Sequence, residues 1–82
     1  MNDQELVSVR AYISERLDGI QIDDNEDLFA GGYVNSLFAV QLVMWIERIF
    51  DVPMEGPDLD FTNIQSVTAI ASFVERKRTA AA

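Results

Sequence analysis

Eighty-two residues without a cysteine or a histidine make one small domain, which buries only roughly 60–65% of the surface its unfolded chain exposes. Six lysines and arginines against fourteen aspartates and glutamates give a net charge of −8. That balance disfavours nucleic acid, because each phosphate contact needs a cation to replace released counterions. Cysteine's absence rules out a disulfide framework and a thiolate metal site, and an apolar fraction of 49% favours a packed core over disorder.

No apolar run approaches the ~20 residues of a membrane-spanning helix, and Met1-Asn2-Asp3-Gln4-Glu5 has no signal-peptide character, so a cytoplasmic place is expected. The acidic surface keeps a small protein soluble and attracts partners with basic patches.

Taken in order, the chain predicts a first helix over Asp3–Leu17, with Leu6, Val9, Ile13 and Leu17 at helical spacing. Asn2 or Asp3 can cap it. Glu5, three residues after Asn2, suits a capping box, and Gly19 supplies the left-handed residue wanted past its end. The connection from Gly19 to Asn35 is too long to be left unpinned in a compact domain. Ile20, Ile22, Leu28 and Phe29 are its apolar anchors. Its carboxylates, Asp23, Asp24, Glu26 and Asp27, lack the glycine and closing glutamate of a calcium loop.

Gly31-Gly32 then allows a sharp turn. Asn35 and Ser36 are both good caps, and apolar periodicity begins at Leu37. A second helix over Ser36–Phe50 would face Leu42, Val43, Ile46 and Phe50 to the core. A second apolar row, Phe38, Trp45 and Ile49 with Leu37, Val40 and Met44 nearby, is more than one helix in so small a domain can bury. Val52-Pro53 ends this helix. Leu59, Phe61 and Ile64 suggest a short helical turn. Ser66 can cap a last helix over Val67–Arg76, with Val67, Ile70, Ala71 and Val74 inward and Arg76, Lys77 and Arg78 opposing the dipole. The expected domain covers residues 1–78, with residues 79–82 a frayed tail. Three longer helices, one short one and no strand pattern give an all-α fold, a small four-helix bundle.

Without histidine and cysteine, a Ser-His-Asp triad, a Cys-His pair and the usual zinc site cannot be built, and Lys77 is the only lysine. Catalysis by this chain is not expected. Ser36 is better placed for modification. A phosphodiester on its oxygen would meet unpaired backbone N–H groups and the positive end of the second helix. The plainer alternative is that Ser36 only caps the helix.

The run from Asp27 to Asp51 resembles the attachment site of acyl carrier proteins. Their pattern is an acidic, hydrophobic, glycine-containing loop followed by Asp-Ser-Leu, which here reads Asn35-Ser36-Leu37. The likeness continues through Gln41-Leu42-Val43-Met44 and Glu47 to Phe50-Asp51, and returns at Ser66-Val67. The resemblance implies that Ser36 carries 4′-phosphopantetheine, donated by coenzyme A through a phosphopantetheinyl transferase, with acyl groups held as thioesters on its thiol. Further partners would be an acyl-loading enzyme and a downstream acyltransferase, synthase or tailoring enzyme. Asn35, Leu37, Phe38, Gln41, Met44 and Glu47 are the expected partner-binding positions; Asn35, Gln41 and Arg48 make this surface less acidic than the family's usual one.

Asn-Ser-Leu-Phe-Ala is also similar to free-standing carriers of unusual polyketide extender units, which implies secondary metabolism and a hydroxy- or methoxymalonyl cargo. A D-alanyl or aminoacyl carrier would use the same serine. A helical interaction module that carries nothing and docks through the second helix is the alternative from another class.

Overall fold

The first helix is fastened by its own side chains before it meets the rest of the chain. In a computed structural model that describes residues 1–32 and 34–81, α1 runs from Asp3 to Arg16 with Asn2 as its cap. Asn2 Oδ1 accepts the Glu5 N–H at 2.8 Å, and the Asn2 N–H donates to Glu5 Oε1 at 3.2 Å, the reciprocal box the spacing predicts. At the other end the Leu17 N–H donates to the carbonyls of Ile13 and Ser14. The chain then passes through two left-handed residues, Asp18 at φ 57° and Gly19 at φ 81°. The glycine was expected in that conformation. Aspartate preceding it is tolerated because its short polar side chain adopts left-handed backbone more readily than most.

Helix α2 spans Ser36–Phe50 and α3 spans Val67–Ala81; between them lie two 3₁₀ turns, Gly56–Asp58 and Phe61–Asn63. The fold is all-α, with no strand among the described residues, and the expected short fourth helix takes the form of those turns. The three helices close on one core, in which Val9 and Ile13 of α1 meet Leu42 and Ile46 of α2 and Ile70 and Val74 of α3, each at most 1% exposed. Phe73, absent from the inward face read from the sequence, is also buried. It stands three residues after Ile70, on the same face. Burying side chains of this size contributes about 1.5–3 kcal/mol each, which makes this cluster the main source of cohesion.

The third helix continues beyond the expected end at Arg76 and through Thr79 and Ala80, where fraying was expected; Ala82 lies outside the described residues. Nothing in Lys77-Arg78-Thr79-Ala80 breaks a helix, and alanine favours one most. Arg78 forks onto Glu5, with nitrogen–oxygen distances of 2.6 and 3.0 Å, and so ties this last turn to the start of α1. Lys77 reaches Asp58 at 2.7 Å, and the Met1 ammonium pairs with Glu75.

The long α1–α2 connection is pinned as four anchors would require, though unevenly. Leu28 is fully buried, Ile22 and Phe29 pack against the core margin, and Ile20 stays half exposed. Hydrogen bonds do the rest. The Leu28 N–H donates to the Gln65 carbonyl at 2.7 Å and the Thr68 N–H to the Asp24 carbonyl at 3.0 Å, while Arg10 forks onto the Asp24 carboxylate at 2.9 and 2.7 Å. No helix among the described residues is long and apolar enough to cross a membrane.

The Glu5–Arg78 pair makes folding pH-dependent. The Arg78 guanidinium bonded to Glu5 holds its carboxyl at about 2, against an ordinary 4.5. A carboxyl depressed in the folded state stabilises above its unfolded value, and that contribution fades as pH falls from about 4.5 towards 2. The urea midpoint of the wild type should therefore drop across this window. Glu5→Gln, which keeps the capping box but has no charge to lose, should drop less when the two proteins are titrated side by side.

Candidate functional site

Asn35 is the cap of α2, and Ser36 is the first residue inside the helix. The Asn35 Oδ1 accepts the Phe38 N–H at 3.1 Å, and its carbonyl accepts the Ala39 N–H at 3.1 Å. The Ala39 bond is the first rung of the helical ladder, and of the four amides that a helix start leaves without partners the cap takes up one, that of Phe38. Those of Ser36 and Leu37 have no acceptor among the described residues, nor does the exposed Ser36 hydroxyl make a hydrogen bond there. No carboxylate stands in the first turn. The result is a hydroxyl and two N–H groups facing outward at the positive end of a 15-residue helix.

The preceding loop is shaped to deliver the chain there. Asp27 Oδ1 accepts the N–H groups of both Phe29 and Ala30 at 2.9 Å, and the Gly32 N–H donates back to the Phe29 carbonyl at 3.1 Å. Gly32 takes φ +77°, a conformation that costs side-chain-bearing residues energy. Tyr33, within the same stretch, lies outside the described residues.

Ser36 sits between two concavities. On one side it opens into a cleft of about 460 Å³, within the size range of small-molecule sites. Val40, Val43 and Met44 of α2 form one wall, and Leu59, Phe61 and Ile64 of the 3₁₀ segment form the other. Its remaining polar lining is Glu47 and Asp60. The other concavity, beyond Asn35, is lined by Arg16, Val34, Leu37 and Gln41.

The expected partner-facing residues divide accordingly. Leu37, at 67% exposure, and Met44, at 63%, stand clear of the fold on either side of the serine, and Gln41 is exposed. Glu47 is half buried and committed, its Oε2 accepting the Met54 N–H at 3.1 Å. Phe38 departs from the expectation. It is only 8% exposed and stacks at 6.3 Å on Tyr12 of α1, so its ring belongs to the core rather than to a docking surface. Trp45 is half buried, stacked on Tyr12 with centroids 4.3 Å apart and edge-on to Phe50 at 5.7 Å. The far wall of the cleft was missed in the sequence. Leu59, Phe61 and Ile64 suggest only a short helical turn, and of the three Ile64 turns into the core while Leu59 and Phe61 stay more than half exposed. Their two-residue spacing, which suits no α-helical face, was the available signal.

Cap and hydroxyl make separable contributions to folding. Asn35→Ala should cost about 1 kcal/mol, the usual worth of an N-cap. Ser36→Ala should stay within about 0.5 kcal/mol, as surface changes without a lost bond do. Equilibrium unfolding of the two variants, analysed at a common slope, checks the contrast.

Compared with known protein families, the chain matches the family described as "Phosphopantetheine attachment site" over residues 8–74. No curated protein and no solved structure matches it. The match takes in most of α1, the pinned loop, all of α2 and α3 as far as Val74. Members of this family are non-catalytic carriers with a covalently attached 4′-phosphopantetheine group, served by a phosphopantetheinyl transferase and by partner enzymes. The chain belongs to the phosphopantetheine-attachment-site family and is a helical carrier protein rather than an enzyme.

Proposed function

We propose that Ser36 is the attachment serine, and that the chain is a discrete acyl carrier protein delivering thioesters between enzymes. The observation that carries this reading is the start of α2, where Asn35 does the capping and so leaves the Ser36 oxygen without a structural duty. The residues present fit the group. A phosphodiester on Ser36 would have the Ser36 and Leu37 N–H groups and the helix dipole on its side, and no first-turn carboxylate to repel it.

In the transfer, the Ser36 oxygen forms a bond to the phosphorus of coenzyme A that bears the pantetheine. The pyrophosphate P–O bond breaks with its electron pair going to the adenosine bisphosphate, and the serine proton passes to a base of the transferase. When attached, the group supplies the terminal thiol that this cysteine-free chain lacks, and acyl cargo is held there as a thioester. The protein's own part is to orient the serine and to present a recognisable surface.

For cargo and pathway, the Asn35-Ser36-Leu37-Phe38-Ala39 likeness supports a carrier of polyketide extender units such as methoxymalonyl or hydroxymalonyl, acting in the cytoplasm. Its further partners would be an acyl-loading enzyme and a downstream synthase or tailoring enzyme. Leu37 and Met44, exposed beside the serine, with Asn35 and Gln41, form the surface these partners would read. Apolar contact would then carry more of the recognition than charge, as at interface hot spots. An aminoacyl carrier would share the serine and differ in the enzyme that loads it.

Two experiments test this function. Incubation with coenzyme A and a broad-specificity phosphopantetheinyl transferase should add one phosphopantetheine to the intact mass of the wild type and nothing to Ser36→Ala. An unchanged wild-type mass with several transferases would favour a docking module that carries nothing. Leu37→Glu should lower the transferase's kcat/KM by about tenfold, the scale of a lost hot-spot contact, with the unfolding midpoint unmoved.

A further inference from the structure

Four of the six lysines and arginines are committed within the fold. Arg10, Lys77 and Arg78 pair with carboxylates, and Arg76 bonds the Asn63 side chain. Arg16 and Arg48 have no such partner among the described residues. Arg16 is nevertheless held in place. Its guanidinium lies 4.1 Å from the centre of the Tyr12 ring, and Tyr12 in turn stacks on Trp45 at 4.3 Å. A guanidinium held over a ring in this way still has its N–H edge for an anion. Arg16 borders the concavity of about 470 Å³ beyond Asn35, and every polar side chain that lines it has a donor to spare. Asn35 spends its oxygen on the Phe38 N–H and retains its NH2 group, while Gln41 gives only its backbone carbonyl, to the Tyr12 hydroxyl. No carboxylate lines this concavity. The cleft on the other side of Ser36 is the reverse, with Glu47 and Asp60 as its ionisable residues.

We propose that the phosphodiester end of the 4′-phosphopantetheine arm rests in this concavity between α1 and α2, with Arg16 as the positioning residue that holds its charged oxygens. The proposal rests on Ser36 bearing the arm. Asn35 and Leu37, the neighbours of Ser36 in the chain, both line the concavity, so an arm rooted on Ser36 starts at its rim. A negatively charged phosphodiester turned this way meets a guanidinium and the NH2 groups of Asn35 and Gln41, whereas on the cleft side it would meet only carboxylates. The stretch of arm that follows carries geminal methyl groups and then amides. Leu37 and Val34, which also line the concavity, offer apolar contact to the methyl groups, and the Gln41 carboxamide can donate to an amide carbonyl. Arg16 is exposed, so salt weakens the contact, which makes it a rest position rather than a lock. A partner enzyme that covers Leu37 and Gln41 would displace the arm from it, and docking itself would then set the arm free.

Unlabelled phosphopantetheine can be placed on ¹⁵N,¹³C-labelled protein with coenzyme A and the same transferase. Intact mass is read first, and no gain would overturn the assignment of Ser36 and this inference with it. On the loaded protein, isotope-filtered nuclear Overhauser contacts from the geminal methyl groups of the arm should fall on Leu37 and Val34 rather than on Val40, Met44 or Phe61 of the cleft. The Arg16 Nε–H resonance should move severalfold more on loading than that of Arg48, and the difference should shrink as salt is raised. In Arg16→Gln the contacts to Leu37 and Val34 should weaken severalfold and the ³¹P resonance of the arm should move, while Arg16→Lys, which keeps the charge without the fork, should retain part of both. Should Arg16→Gln lose its native amide spectrum, Arg16→Lys and the salt series decide. Contacts that fall on the cleft residues would overturn the proposal. So would an arm that touches neither side, or a well-folded Arg16→Gln whose contacts are unchanged.

Discussion

Everything the carrier site can do depends on one hydrogen bond, from the Phe38 N–H to the Asn35 side chain at 3.1 Å. Because Asn35 fills the cap, the helix begins without help from Ser36, and the serine oxygen, its own amide and that of Leu37 face outward with no internal partner among the described residues. A serine in the cap position would be drawn into the same bond and partly withdrawn from chemistry. Asparagine is also neutral, so it adds no charge beside the proposed attachment oxygen. The replacement of the family's usual aspartate by Asn35 thus retains the structural duty of that position and gives up its electrostatic one.

The rest of the chain keeps this helix end in place. Leu42 and Ile46, fully buried, fix the rotation of α2 about its axis, and Tyr12 locks it to α1 by stacking on Trp45 and donating its hydroxyl to the Gln41 carbonyl at 3.3 Å. With that rotation set, Leu37, Val40 and Met44 fall outside the core and stay more than half exposed. The 3₁₀ segment, tethered to α3 through Asp58 and Lys77 at 2.7 Å, forms the opposite wall of the cleft. The exposed apolar residues of α2 are therefore a consequence of the core they flank.

Much of this was legible in the residues. The capping box at Asn2 and Glu5, the bounds of α2 and the cap at Ser66, whose oxygen accepts the Ala69 N–H at 3.0 Å, follow from local chemistry that needs no knowledge of the fold. The candidate site was visible for the same reason, since loop, cap and serine are contiguous in the chain. What escaped depended on long-range packing. Phe38 and Met44 are both apolar residues of one helix, and only the position of Tyr12 on a different helix decides that the first is buried and the second is not. The last turn of α3 is tied down by Arg78 meeting Glu5, a pairing across 73 positions. The acidic rim of the cleft joins Glu47 to Asp60 across a turn whose path no spacing rule supplies.

The central claim is that the phosphopantetheine stands on Ser36, and the chain offers a direct way to read its position. Tryptic cleavage after Arg16 and Arg48 releases residues 17–48, in which Ser36 is the only serine and no threonine occurs. After loading with coenzyme A and transferase, tandem mass spectrometry should place one phosphopantetheine on this peptide, at Ser36. Finding it on a peptide that holds Ser8, Ser14 or Ser66, with residues 17–48 unmodified, would contradict the account.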